Sequence, residues 1–177
     1  MSVRRITTAG ILLAVMCALG CLSIPFGDNV KVSLQLLVVF IIFALEDHLV
    51  DKLVITGLYL LLGLFLPIYA GFNAGITPTF GFVISFVVAA IPFHFLNKIK
   101  IKNEPIKFGI VCLVTILIVY LIGSIFLALY LKMDYFPSLM ISVVPYIPFD
   151  IAKVAIAFFA VKLLKPVINR NKVEEAK

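Results

Sequence analysis

The feature of this sequence that most constrains its fold is a series of long apolar runs that carry almost no charge. A membrane-spanning helix needs about 20 mainly apolar residues, because lipid offers backbone polar groups no partners outside a helix or a closed barrel. Hydrophobic residues make up 63% of the chain and charged residues only 14%, which is far from the composition of soluble domains. The runs therefore predict an all-α integral membrane protein.

Six of these runs are interpreted as membrane spans. They cover residues 6–24, 32–45, 49–65, 80–96, 106–131 and 148–164. The connections between them are short, so we expect residues 1–177 to form a single six-helix membrane domain that binds a substrate. Residues 137–147 are apolar and punctuated by proline, which indicates a re-entrant or surface-lying piece before the last span.

The distribution of basic residues predicts how the chain is oriented. Loops on the cytoplasmic side of a membrane carry an excess of lysine and arginine. If both termini are cytoplasmic, 12 of the 15 basic residues lie inside, against two outside (Lys31 and Lys132) and one in a span (Lys153). This predicts an N-in, C-in topology. The net charge of +6 is then explained by this topology and by attraction to lipid headgroups, so no nucleic-acid partner is expected.

The connection between the third and fourth spans, residues 67–79, is rich in turn residues and yet strongly apolar. Solvated loops are normally polar, so this composition predicts a partly re-entrant external loop that folds back onto the helices. Asn73 offers an amide near its centre. That side chain could meet a ligand, or it could simply close a turn.

Asp150 and Lys153 are the most unusual residues, because they lie within the last apolar run. An acid or a base at the centre of a bilayer is unfavourable by about 2.5 to 3.5 kcal/mol. Such groups therefore occur where they pair with another group or serve a function. Their spacing puts them on neighbouring faces of one turn, and Pro148 favours a helix start beside them. Either they pair and snorkel to the interface, or they bind a ligand.

Three external elements can converge on one site: the 67–79 loop, the turn at Asp150, and the start of the second span with Ser33 and Gln35. Together they offer an amide, a hydroxyl, a carboxylate and an ammonium group among aromatic and aliphatic side chains. This mixture suits a small ligand with an apolar body, a hydrogen-bonding head and a carboxylate. The candidate binding residues are Gln35, Tyr59, Phe72, Asn73, Tyr146, Asp150 and Lys153.

Ala14 and Ala18 form a pair of small residues four positions apart in the first span, one turn after Gly10. Small side chains at this spacing make a flat strip that lets another helix approach closely. The strip is a candidate docking surface for a partner, or it serves internal packing.

Motifs for catalysis are missing from the sequence. It contains no nucleotide-binding loop, no Ser/His/Asp order, no HExxH and no paired-cysteine pattern. We therefore expect neither an enzyme nor an ATP-driven pump in this one chain, and we predict no metal site.

Several segments together resemble a known family. They are residues 33–35, 58–71, 77–82 and 144–153, the last containing Pro-Tyr-Ile-Pro-Phe-Asp-Ile-Ala-Lys. In these segments the sequence resembles the BioY family, the substrate-binding S components of biotin transporters of the energy-coupling factor (ECF) type. The resemblance runs over most of residues 33–165.

The resemblance implies a six-helix subunit of a bacterial or archaeal cell membrane that captures biotin from outside. It would associate with a transmembrane coupling subunit and two ATPase subunits, so ATP would be used by the partners and no cofactor by this chain. By position, Asp150 and Lys153 match the polar pair that contacts the ligand. Asn73 falls in the loop that covers it. Ala14 and Ala18 match the motif that docks on the coupling subunit.

One region departs from the family pattern. Between the third and fourth spans the family has a longer, glycine-richer stretch, whereas here Thr77 precedes Pro78, and Phe80 and Phe82 replace Gly and Tyr. A tighter, more aromatic lid could hold biotin or select a related acid such as lipoate. A different alternative is a membrane scaffold protein without a small ligand.

Overall fold

Helices make up most of the structure, a computed structural model that describes residues 3–26 and 30–174. The α-helices in this part of the chain are α1 Val3–Gly20, α2 Gln35–Leu45, α3 Leu49–Gly63, α4 Phe80–Leu96, α5 Glu104–Leu131, α6 Tyr135–Ser142 and α7 Ile147–Glu174. The strands β1 Ser23–Phe26 and β2 Val30–Ser33 form an antiparallel hairpin between α1 and α2. A 3₁₀ turn, Val144–Tyr146, joins α6 to α7.

The structure is mostly helical, as predicted, but the hairpin corrects the predicted ends of the first two spans. The first helix ends at Gly20, not at residue 24, and the second begins at Gln35, not at residue 32. Residues 22–24 and 32–34 instead pair across the hairpin, with Ser23 opposite Ser33 and the Leu34 amide donating to the Leu22 carbonyl at 3.2 Å. A short apolar run has no periodicity that separates a strand from the end of a helix, which is why the sequence misled here.

Helix α2 is the most enclosed element that positions the site. Nine of its eleven residues are buried, and it packs against α1, α4 and α7. Its phenylalanines extend the core, with the rings of Phe43 and Phe93 5.2 Å apart in an edge-to-face contact. An apolar helix surrounded on all sides forms the centre of a bundle, not its surface.

Helices α4 and α5 approach each other through a reciprocal glycine contact. A Cβ atom at Gly81 would lie 2.2 Å from the Cβ of Phe126, and one at Gly123 would lie 2.3 Å from the ring of Phe82. Each glycine therefore leaves the space that an aromatic ring of the other helix fills. This contact fixes the position of Phe82, which lines the cavity described below.

Large apolar side chains cover the outer faces of α5 and α7. Leu121 and Leu129 on α5 are 54% and 74% exposed, and Leu163 on α7 is 74% exposed. Soluble monomers rarely show contiguous apolar surface of this kind, whereas lipid solvates it. Among the described helices, α5 alone is long and apolar enough to cross a bilayer by itself. Six spans with an N-in, C-in topology thus stay a prediction.

The 67–79 loop folds back onto the helices at Tyr69, as its apolar composition predicted. The Tyr69 ring is 1% exposed and its hydroxyl donates to the Leu60 carbonyl, while the Gly71 amide donates to the Cys21 carbonyl at 2.9 Å. Burial raises the pKa of Tyr69 to about 12, so the hydroxyl remains a donor. The rest of the loop tip faces outward.

Residues 137–147, predicted to be re-entrant or surface-lying, form most of α6 and the 3₁₀ turn on the outside of α5. The Ser138 hydroxyl is buried and donates to the Ser124 carbonyl at 2.8 Å, whereas Phe136 is 68% exposed. Helix α6 therefore lies on α5 and brings the chain to the start of α7.

Candidate ligand-binding site

A cavity of about 260 Å³ lies between the first turns of α2, α4 and α7 and the second half of α5. This volume is close to the lower end, about 300 Å³, of small-molecule sites. Its apolar wall is formed by Leu36, Phe82, Phe86, Val119 and Leu127. Its polar groups come from Gln35, Tyr120, Tyr146, Asp150 and Lys153, together with the hydroxyls of Ser33, Thr79 and Ser142. The cavity thus combines an apolar wall with a few polar groups.

Asp150 and Lys153 are both buried at the wall of this cavity, 4% and 6% exposed. The Lys153 ammonium donates to Oδ1 of Asp150 at 2.6 Å, and the Tyr120 hydroxyl donates to Oδ2 at 2.5 Å. Both carboxylate oxygens therefore have a donor, which a buried carboxylate requires. An ammonium group has three N–H donors and Asp150 takes one, so Lys153 can also donate to a ligand.

The start of α7 explains why the pair lies here. Pro145 stands in the 3₁₀ turn and Pro148 in the first turn of α7, where a missing amide hydrogen does not break the helix. Asp150 lies in the same first turn, where the helix dipole favours a negative charge. Lys153 follows three residues later, close enough for a direct contact.

A second set of hydrogen bonds supports Gln35. Its side-chain amide donates to the Tyr59 hydroxyl at 2.7 Å, and that hydroxyl donates to the Ile68 carbonyl at 2.8 Å. Gln35 lines the cavity, whereas Tyr59 lies behind it and is fully buried. A Cβ atom at Gly20 would lie 2.6 Å from the Tyr59 hydroxyl, so only glycine allows α1 this close. Tyr59 is therefore a positioning residue.

The structure brings four of the predicted binding residues together at the cavity: Gln35, Tyr146, Asp150 and Lys153. Phe72 and Asn73 are not among its lining residues. Phe72 is 64% exposed with a φ of 59°, and the Asn73 amide donates to the Ala70 carbonyl at 2.8 Å. Asn73 closes its own turn, which was one of the two interpretations. Contact of these two residues with a ligand stays a prediction.

Tyr120, Thr79 and Ser142 are polar cavity residues that sequence reasoning missed, and Tyr120 is the one that contacts the Asp150–Lys153 pair. It lies near the middle of α5, 30 positions before Asp150, and no local spacing relates the two. A signal was present nonetheless: a tyrosine within a long apolar run needs a hydrogen-bond partner for its hydroxyl. Only the packing of α5 beside α7 identifies that partner as Asp150.

Replacing Tyr120 with phenylalanine should weaken ligand binding by about tenfold. The ring remains, but Asp150 loses one of its two donors, and a hydrogen bond to a charged group contributes about 1.5 to 3 kcal/mol. Equilibrium binding of the ligand to the purified variant measures the change. Tyr130→Phe is the matched control, because Tyr130 is exposed on the same helix. Equal affinities for the two variants would contradict a role for Tyr120.

Ala14 and Ala18 lie on an uncovered face of α1. Both are exposed, and a Cβ atom at Gly10 would meet nothing within 4 Å, whereas Met16 on another face is fully buried. Within the part of the chain that the structure describes, the small-residue strip is therefore exposed and accessible to another helix.

Comparison with known proteins gives consistent matches along nearly the whole chain. The BioY family profile matches residues 1–170. The biotin transporter BioY2 of Lactococcus lactis subsp. cremoris is 30% identical over 166 residues, which cover 90% of this chain and 89% of the relative. The biotin transporter BioY of Thermotoga maritima is 28% identical over 173 residues, 94% of this chain and 99% of the relative.

The fold also matches a solved structure. The crystal structure of the S-component for biotin from an ECF-type ABC transporter superposes with a TM-score of 0.80 at 26% identity. The match covers 93% of this chain and 92% of the other.

Proposed function

The chain belongs to the BioY family, and on that basis we propose that it is the S component that captures biotin for an ECF-type transporter. It is a substrate-binding transport protein rather than an enzyme. The observation that carries the proposal is the 260 Å³ cavity, which joins an apolar wall to the buried Asp150–Lys153 pair and the half-buried Tyr120. A pure scaffold has no need for a buried acid and base at the wall of a cavity.

The groups around the cavity correspond to those of biotin. Biotin has a ureido ring with two N–H donors and a carbonyl, an apolar thioether ring and chain, and a carboxylate. Lys153 donates to a ligand oxygen, and Asp150 accepts from a ligand N–H or holds Lys153 in place. The apolar wall takes the rest of the molecule, since apolar surface removed from water contributes about 25 cal/mol per Å².

Competition against labelled biotin tests the choice of ligand. Unlabelled biotin and dethiobiotin, which keeps the ureido ring, should displace labelled biotin from the purified chain. Lipoate, which lacks this ring, should not. Displacement by lipoate at the same concentration as biotin would favour lipoate as substrate. A chain that is folded but binds no vitamin of the panel would favour the scaffold alternative.

We further propose the assembly in which this chain acts. It lies in the membrane of a bacterial or archaeal cell with both termini inside, and the strip of Ala14 and Ala18 docks on a transmembrane coupling subunit. Two ATPase subunits bind and hydrolyse ATP, while this chain itself uses no cofactor. The exposure of the two alanines on α1 supports this proposal.

Tryptophan at both Ala14 and Ala18 should abolish co-purification with the coupling subunit and biotin uptake, because a bulky side chain prevents close helix approach. Biotin binding by the isolated chain should stay unchanged, because α1 contributes no residue to the cavity. Leu117→Trp, at a 58% exposed position of α5, is the control for bulk at a lipid-facing site. Normal uptake by the double variant would rule out this strip as the docking surface.

A further inference from the structure

A second cavity of about 500 Å³ lies at the opposite end of the helices from the ligand-binding site. The ends of α2 and α4, the first turn of α5 and the second half of α7 line it, and it is open to the surface. Its inner wall is apolar, with the rings of Phe108 and Phe158 5.6 Å apart beside the buried Val161. It shares no lining residue with the first cavity, so the proposed biotin site does not account for it.

Lysines form the polar part of this cavity. Lys162 and Lys165 lie three positions apart on one face of α7, and Lys107 faces them from the start of α5. Glu104 is the one acid among the lining residues that the structure describes, so positive charge is in excess among them. Long lysine stems can lie along the apolar wall while the ammonium groups stay near water, which makes the cavity suited to an anion.

The surface next to this cavity is apolar. Phe159 and Leu163 on α7 are 64% and 74% exposed, and Ile110 on α5 is 45% exposed. These residues follow the cavity residues along the same two helices. A ligand that carries an anionic head on an apolar tail can therefore place the head among the lysines and the tail along the outer face of the helices.

We propose that this cavity binds the headgroup of an anionic phospholipid, with the phosphodiester among Lys107, Lys162 and Lys165. Basic pockets between membrane helices on the cytoplasmic side are suited to such headgroups. Three lysines against one glutamate give the charge complementarity, and the aromatic wall accommodates the glycerol and the start of the acyl chains. The site would tie this end of α5 and α7 to the inner leaflet.

Native mass spectrometry of the full chain with added phosphatidylglycerol or phosphatidylcholine tests the proposal. The native chain should retain phosphatidylglycerol at least about tenfold better than phosphatidylcholine, since each lysine near an anionic surface contributes to attraction. The triple variant Lys107→Gln, Lys162→Gln, Lys165→Gln should lose that preference. Equal retention of the two lipids by the native chain would overturn the proposal.

A matched triple variant separates this site from general charge attraction. Lys98, Lys100 and Lys102 are exposed on the same predicted side and do not line the cavity. Changing these three to glutamine should leave the preference for phosphatidylglycerol intact. An equal loss in both triple variants would mean diffuse attraction and overturn a site in the cavity.

Two further measurements complete the test. The first distinguishes binding of a lipid from binding of a free phosphate, and the second distinguishes a variant that has lost the site from one that is unfolded. Soluble glycerol 3-phosphate should fail to displace phosphatidylglycerol, and displacement at equal concentration would overturn the lipid assignment. Phosphatidylglycerol should raise the melting temperature of the native chain and the control but not of the cavity triple variant. A variant with a native melting temperature in phosphatidylcholine is folded, whatever its affinity for biotin.

Discussion

Replacing Lys153 with alanine should lower the affinity for biotin by about 30-fold or more, the equivalent of about 2 kcal/mol for a desolvated hydrogen bond to a charged group. The ligand loses its donor, and the buried Asp150 carboxylate keeps only the Tyr120 hydroxyl. Removing one partner of a buried ion pair also destabilises a protein by about 3 to 5 kcal/mol. Equilibrium binding and thermal unfolding of the purified variant measure the two effects.

A double variant in which both charges are removed tests whether Asp150 and Lys153 bind the ligand or only neutralise each other. Lys153→Met combined with Asp150→Leu removes both charges and keeps similar volumes, so stability should recover relative to Lys153→Ala. Affinity for biotin should not recover, because neither new side chain forms hydrogen bonds. Native affinity in this double variant would mean that the pair only neutralises itself. Lys100→Ala, at an exposed position, controls for the loss of one lysine.

Gly63→Ala should destabilise the protein, because α3 has no space for an added methyl group at this position. A Cβ atom there would lie 2.0 Å from the ring of Tyr69, which is fully buried and tied by its hydroxyl to Leu60. Such overpacking destabilises by about 1 to 3 kcal/mol. Tyr69 would have to move and take the 67–79 loop with it. Biotin affinity should fall as well, because Ala70 of this loop lines the cavity.

Gly57→Ala is the matched control on the same helix. A Cβ atom at Gly57 would meet nothing within 4 Å, and alanine is favoured over glycine inside a helix by about 0.5 to 1 kcal/mol. The melting temperature should therefore fall in Gly63→Ala and rise in Gly57→Ala, and Gly57→Ala should keep its affinity for biotin. A Gly63→Ala variant as stable as Gly57→Ala would contradict the tight contact at Tyr69.

Local spacing explains which parts of the site could be predicted. Asp150 and Lys153 are three residues apart, so their contact follows from helix geometry once the helix start at the prolines is recognised. The BioY resemblance rested partly on the same stretch and partly on residues 33–35, 58–71 and 77–82, and family membership is confirmed. Gln35 was found for a similar reason, as an amide at the start of an apolar run.

Contacts between distant segments explain the rest. Tyr120 meets Asp150 only because α5 packs beside α7, and Asn73 turns its amide to Ala70 because the loop tip needs its own hydrogen bonds. The hairpin between α1 and α2 was missed because the apolar character of residues 22–24 and 32–34 fits a strand as well as a helix.

By itself, the sequence determined that the protein is mostly helical, the position of most of its helices, its family, and the acid and base at the start of the last helix. These follow from hydropathy and near-neighbour spacing, which act over a few residues. The tertiary structure alone decided which side chains share a cavity, that Tyr59 lies behind Gln35, and that lysines from α5 and α7 meet at the opposite end. Those relations depend on how helices distant in the chain pack, and glycines such as Gly63 and Gly123 set the distances at which they do.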